Sequence, residues 1–271
     1  MNGWSLVAIA LYLLATATFI AHVVADAAAL KRTAHLLLFA AGAFHTVALV
    51  SRVWTFGYEG LGPFPEQLSC IGAIMVAVYL LLALRANLTV VGALVSPIAF
   101  LLLLSANVFE TGNAKLPPQL ESVWLPAHVA PAFLGYAVFA VAFCLSVTYL
   151  LQERQLKVKR KGDLFRRLPS LQTLDELNYR FVTWGFALFT VGLITGSFLA
   201  KEMWGALWSW EPVQIWSVIT WLLYAVLLHA RTVGWRGRKA ARLTIFCFIV
   251  LAVSFVGVNL LFPGKHAGTF G

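Results

Sequence analysis

Eight apolar runs, each long enough to cross a bilayer, constrain this chain more than anything else in it. They are Trp4 to Val24, Ala34 to Trp54, Leu68 to Leu84, Leu88 to Ala106, Leu125 to Leu151, Phe181 to Ala200, Val213 to Ala230 and Leu243 to Phe262. About 20 apolar residues in a helix span the hydrocarbon core, and only helices or closed barrels satisfy every backbone donor and acceptor there. The runs leave little of the 271 residues for a soluble domain. The expectation is an all-α polytopic membrane protein of about eight transmembrane helices, forming one domain over residues 1–271. The first run lacks a basic lead-in and a small-residue cleavage site behind it, so it reads as a retained span and not as a removable signal peptide.

Lys and Arg collect in alternate connections: Lys31 and Arg32, then Arg85, then Arg154 to Arg167, then Arg231 to Arg242. Positive charge marks the cytoplasmic side. Both termini and the loop around Trp204 to Pro212 are therefore expected outside, in a multi-pass protein of the cell (inner, cytoplasmic) membrane. The net charge of +9 then reflects topology and contact with anionic lipid headgroups. The basic segment Arg154 to Arg167 has no interleaved aromatic pattern, which argues against nucleic acid. Cys70, Cys144 and Cys247 each lie inside an apolar run, with no CxxC, so neither a disulfide framework nor a thiol redox site is expected.

No internal repeat or low-complexity segment is evident. The longest polar piece is a cytoplasmic linker over residues 152–180, in which Leu171 to Asn178 reads as a short interfacial helix. The external loops Phe56 to Gln67 and Asn107 to Leu125 are rich in Gly and Pro and read as ordered caps.

The external loop over residues 201–212 is unusual. Trp204, Trp208 and Trp210 fall within nine residues, WGALWSWEP, with Trp216 and Trp221 on the following helix. Tryptophan is common at membrane interfaces, but this density suggests a platform for a large planar ligand. By depth, His128 at the outer start of the fifth span and His266 just beyond the eighth share the level of this loop. Two neutral imidazoles across an aromatic slab suit bis-histidine ligation of haem iron. Zinc is a rival for any histidine pair, yet no Cys or carboxylate cluster at structural-zinc spacing accompanies these. His45 lies mid-span and His229 within a turn of the cytoplasmic end of the seventh span, too different in depth for an obvious pair. His22 and His35 flank membrane boundaries, where polar residues are ordinary.

The stretches WGALWSWEPVQIWSVITWLLYAVLLHAR (Trp204 to Arg231), HVAPAFLGYAVFAVAFCLSVTYLLQERQLK (His128 to Lys157) and the terminal PGKHAGTFG carry a resemblance to a known family. FHTVALVSRVWTFGYEGLGPFPEQLSCIGAI (Phe44 to Ile74) fits it more loosely. The chain resembles the cytochrome c assembly family, the CcsA/ResC and HemX-type haem-handling membrane proteins with a tryptophan-rich motif.

The resemblance implies a haem-binding, haem-transporting protein that works with a CcsB/ResB-like membrane partner. It would present haem b at the outer face for thioether attachment to the CxxCH of apocytochrome c, as the haem-handling subunit of a cytochrome c synthase. Carried onto this sequence, the cofactor contacts are Trp204, Gly205, Trp208, Trp210, Glu211, Trp216 and Trp221, and the external iron ligands are His128 and His266. His229 falls on an inner haem site whose opposite ligand the partner supplies, and His45 is a further candidate ligand. Lys201, Arg52 and Lys265 are candidates to meet the propionates. The chain departs from the family loop Trp-Asp-Pro-Lys-Glu: here it runs Trp210, Glu211, Pro212, Val213, Gln214. A HemX-like haem-binding adaptor without covalent chemistry is the alternative reading. A quinone-linked redox subunit and a solute transporter fit less well, because matched internal histidines and inverted repeats are not evident.

Overall fold

The computed structural model describes residues 3–25, 27–109, 122–157 and 169–261. These form eight α-helices: α1 (Gly3–Ala25), α2 (Ala28–Phe56), α3 (Phe64–Ala83), α4 (Thr89–Val108), α5 (Trp124–Lys157), α6 (Leu171–Trp204), α7 (Pro212–Thr232) and α8 (Arg238–Leu261). A short 3-10 turn, Gly57–Leu61, joins α2 to α3, and no strand occurs among the described residues. All eight helices are long and apolar enough to cross a membrane. The all-α polytopic expectation therefore holds.

Local chemistry explains where the helices start and stop. Ser170 caps α6, its hydroxyl accepting from the Thr173 N–H at 3.1 Å, and α6 ends on Gly205 at φ 76°, a left-handed cap suited to glycine. Pro212 opens α7 at its first turn, where the missing N–H costs nothing. Residues Leu171 to Asn178, expected as a separate interfacial helix, are continuous with α6. Residues 152–157 likewise continue α5. At 34 residues each, α5 and α6 run for about 50 Å, against a hydrocarbon core of about 30 Å. Their polar extensions, with Glu153, Lys157, Asp175 and Glu176, project at the end remote from the tryptophan loop.

Helices α1 to α4 pack on one another, α5 to α8 do the same, and α3 leans on α5. Helix α5 is the centre: 61% of its apolar window is buried by neighbours, against 17% for α7. Lipid offers no hydrophobic gain for helix association, so close packing and internal hydrogen bonds must hold the bundle. The antiparallel seam between α5 and α6 supplies both. A Cβ on Gly196 would meet the His128 ring, one on Gly192 would meet Ala132, and one on Gly185 would meet Phe139. Further along, Asn178 donates to the Ser146 hydroxyl at 2.7 Å and to the Ala142 carbonyl at 3.1 Å, and Thr244 of α8 donates to Asn178 at 3.3 Å. The paired positions 128/196, 132/192, 139/185 and 146/178 step in threes and fours or their sum, the spacing of two helices meshed face to face. Small residues on α6 let the backbones approach. Opposite the three glycines, His128, Ala132 and Phe139 of α5 fill the holes, whereas at the fourth position the larger side chain is Asn178 of α6.

The three cysteines are buried, Cys70 in α3, Cys144 in α5 and Cys247 in α8.

Candidate functional site

The tryptophan loop leaves α6 at Gly205 and enters α7 at Pro212. Within it Trp210 has φ 57°, the one positive φ at a non-glycine residue among the described positions. Such a backbone costs on the order of 1–3 kcal/mol and persists where surroundings over-determine it. One such constraint is Gln214, in the first turn of α7. Its side-chain carbonyl accepts from the Ser209 N–H at 2.8 Å and from the Ser209 hydroxyl at 3.2 Å, pinning the chain between the last two tryptophans. The result is that Trp208 and Trp210 meet edge to face, with centroids 5.5 Å apart and planes at 86°. Trp210 is 75% exposed, while Trp216 and Trp208 are 40% and 37% exposed. Trp204 is half-buried, and Glu211 is half-buried at the helix start. Trp221 lies deeper: its indole donates to the Thr190 hydroxyl at 2.9 Å and stacks on Phe186 at 5.3 Å. It braces α7 against α6.

His128 stands in the second turn of α5. Its Nδ1 is 2.8 Å from the Gly192 carbonyl of α6. A carbonyl can only accept, so Nδ1 carries the proton, and in the neutral ring Nε2 carries the lone pair. No described residue is hydrogen-bonded to Nε2. Around it the start of α5 and the end of α6 are tied together: Ser122 donates to Glu202, and Trp124 stacks on Phe198 at 4.7 Å. Because His128 is level with Gly196, eight residues before Trp204, the imidazole sits about 12 Å along α6 from the tryptophan. The other iron ligand expected there, His266, lies outside the described residues, as does Lys265.

The remaining histidines differ in how their nitrogens are used. His45 is fully buried, with Nδ1 3.1 Å from the Tyr12 hydroxyl and Nε2 2.8 Å from the Ser69 hydroxyl. Iron binding there would first break one of these bonds. His35 donates to the Lys31 carbonyl at 2.8 Å and lies 3.2 Å from the Tyr79 hydroxyl. His22 donates to the Ala27 carbonyl at 3.0 Å. His229 is exposed on the last turn of α7, at the end of the bundle remote from the tryptophan loop. His45 and His229 thus belong to different helix groups and are not brought together.

Two further expectations concern charges. Arg52 pairs with the buried Glu66 at 3.2 Å and donates through Nε to the Gly60 carbonyl at 2.6 Å. Lys201 is exposed in the last turn of α6, where it adjoins the loop.

Sequence reasoning did not single out Gly192, Gly196 or Trp124, and it marked Gln214 only as a departure from the family loop. The spacing of Gly185, Gly192 and Gly196, seven and then four residues apart, was the available signal for a close helix contact in a membrane bundle. The bond from Ser209 to Gln214 carried no signal, since Ser209 lies in an irregular loop.

Three comparisons place the molecule. Residues 61–266 match the family model described as "Cytochrome C assembly protein". Among curated proteins, a "Cytochrome c biogenesis protein CcsA" of Guillardia theta is 38% identical over 170 residues, covering 57% of this chain and 56% of that one. Proteins of the same description from Synechococcus sp. (strain CC9902) and Chlamydomonas reinhardtii are 39% and 37% identical over 176 and 157 residues, with 57% of this chain matched in each case and 58% and 43% of theirs. The chain thus spans less than two thirds of the length of these relatives. A solved structure described as "Cytochrome c Heme Lyase CcmF" superposes on 98% of this chain and 50% of its own length with a TM-score of 0.70, at 16% identity, so the two share a fold. On the match across residues 61–266, the chain belongs to the cytochrome c assembly protein family.

Proposed function

We propose that this protein acts in cytochrome c biogenesis by holding haem b at the outer face of the cell membrane, on the tryptophan loop, for attachment to the CxxCH of apocytochrome c. The observation that carries the reading is His128: its Nδ1 is committed to the Gly192 carbonyl at 2.8 Å, leaving Nε2 as the free donor, the arrangement a histidine ligand to iron requires. The exposed indoles of Trp208, Trp210 and Trp216 suit the faces and edge of a porphyrin, and the donor set therefore fits the group. In this reading His266 would supply the second nitrogen to the iron, and Lys201 would be a candidate to meet a propionate. When bound, haem supplies the vinyl carbons that take the cysteine thiols. The chain's own residues would bind and orient it, with the histidines as nitrogen donors to the iron.

His229 belongs to an inner site in this reading. Its exposure on α7 suits completion by a CcsB/ResB-like membrane partner. His45, with both nitrogens engaged, is assigned to the packing of α1, α2 and α3.

Haem content by pyridine haemochrome and axial-ligand absorption bands of the purified protein test the proposal, with His128→Ala and His266→Ala as variants. Loss of the histidine-ligated bands in each is expected; unchanged content and bands in both would refute it. Covalent cytochrome c formation in a host supplied with a ResB-like partner separates synthesis from an adaptor role, since an adaptor gives none.

A further inference from the structure

We infer that Gly196 and the Gly192 carbonyl are the positioning elements that make His128 a competent ligand; this rests on the proposed reading of His128 and deepens it. A Cβ at position 196 would stand 2.8 Å from both Cε1 and Nδ1 of the His128 ring, closer than side-chain carbons come to ring atoms. The imidazole therefore occupies the slot that the missing side chain of Gly196 leaves. One turn away the Gly192 carbonyl takes the Nδ1 proton at 2.8 Å. Steric slot and hydrogen bond act on the same ring from the same helix face: the first sets its rotamer, the second sets its tautomer.

Helix α6 normally spends each carbonyl on the N–H four residues on. The Gly192 carbonyl has a further donor in His128 Nδ1, while the Thr195 hydroxyl, 2.8 Å from the Val191 carbonyl, is shared with it at 3.1 Å. A glycine there removes the side chain that would hold α5 away, its absent Cβ lying 3.2 Å from the Ala132 Cβ. The two helices are then close enough for the side chain of one to reach the main chain of the other. Below the slot the ring cannot slide, because the next meshed position is the Ala132 to Gly192 contact. Above it, the Trp124 and Phe198 rings stack at 4.7 Å. A ligand held by a partner bond of this kind keeps its basicity and direction, and loss of such a bond typically lowers metal affinity about 10–100-fold.

Gly196→Ala and its double variant with His128→Ala test the inference in the purified full chain. Nitrogen NMR of isotopically labelled histidine, with His128→Ala used to assign the signal, reports the tautomer without haem. The wild-type ring is expected to carry its proton on Nδ1 and Gly196→Ala to lose that signature. With haem present, Gly196→Ala is expected to lose the histidine-ligated fraction about tenfold or more, although His128 is still in the chain. Should Gly196→Ala fail to fold, removing the imidazole in the double variant is expected to restore the bundle, because the clash is with that ring. An Nε2-protonated wild-type ring, a Gly196→Ala protein with wild-type tautomer and axial bands, or a double variant as unstable as the single one would each overturn the inference. If instead His128→Ala keeps wild-type haem content and bands, the ligand reading fails, while the tautomer measurement still decides the positioning.

Discussion

Asp175 and Arg231 close a two-pronged ion pair between α6 and α7, Nη1 to Oδ1 at 2.6 Å and Nη2 to Oδ2 at 3.0 Å. The same Oδ1 accepts from the Gly237 N–H at 2.8 Å, and the guanidinium lies 4.9 Å from the Tyr179 ring centre. One carboxylate thus joins α6, the end of α7 and the turn into α8, two residues from His229. The Arg231 side chain is only 8% exposed and that of Asp175 17%, so the pair is screened little, and leaving either charge alone is costly.

Arg231→Ala is therefore expected to destabilise the fold by about 3–5 kcal/mol, the range for breaking a buried pair. Arg231→Lys should recover only part of this, because an ammonium cannot bond both carboxylate oxygens in the fork geometry. Thermal melting in detergent checks both. Arg231→Lys as stable as wild type would show that the fork geometry contributes nothing.

Gln214 is one of three positions, with Glu211 and Val213, at which the chain departs from the family's tryptophan loop, and it holds the loop by its side-chain carbonyl. Replacing it by Glu keeps an acceptor in place; replacing it by Ala removes one. Gln214→Ala should free Ser209, shift the Trp208 and Trp210 fluorescence toward the solvent-relaxed emission and weaken haem retention about fivefold, equivalent to roughly one hydrogen bond. Gln214→Glu should stay close to wild type. Equal losses in both would remove the loop-pinning role.

Trp210 sets backbone and side chain against each other. Its φ of 57° favours glycine, so Trp210→Gly should relieve strain of about 1 kcal/mol while deleting the most exposed indole of the loop. The expected outcome is a melting temperature equal to or above wild type together with reduced haem content. A variant that loses stability and haem together would mean that the indole packs on the fold more than it serves a ligand.

The architecture was legible because lipid leaves few choices: eight runs of sufficient length became eight helices, with ends displaced where caps decided. The tryptophan loop announced itself by composition. The contact that matters most at His128 did not, because it pairs residues 64 and 68 positions apart in sequence, and glycine spacing marks a close approach without naming its partner. The extension of α6 back to Leu171 was hidden for another reason. Leu171, Leu174 and Leu177 mark a helix, but Asp175, Glu176 and Arg180 set it apart from the apolar run that begins at Phe181, and the Ser170 cap lies well before that run. His45 looked like an intramembrane ionisable group available for function; its two hydroxyl partners come from α1 and α3, which only packing reveals.

His45→Leu should accordingly leave haem binding intact and cost stability. It strips partners from the buried Tyr12 and Ser69 hydroxyls, at roughly 1–3 kcal/mol per group left unpaired. Haem content per folded protein and thermal melting, measured together, check this. Loss of haem from well-folded His45→Leu would return His45 to the ligand set.

Gly185→Ala separates strain in the helix seam from placement of the ligand. A Cβ there would lie 2.6 Å from Phe139 Cε1, and Phe139 has nowhere to retreat, being stacked on Tyr224 at 3.7 Å and set edge-on to Phe189 at 6.2 Å. The two helices must move apart locally, at a cost of about 1–3 kcal/mol for overpacking a filled core. The site lies between one and two turns from Gly192 along α6, so the His128 hydrogen bond should survive. Lowered thermal stability with unchanged axial bands is the expected result. Axial bands that shift as much in Gly185→Ala as in Gly196→Ala would mean that the whole seam, and not the slot beside the imidazole, governs how His128 is held.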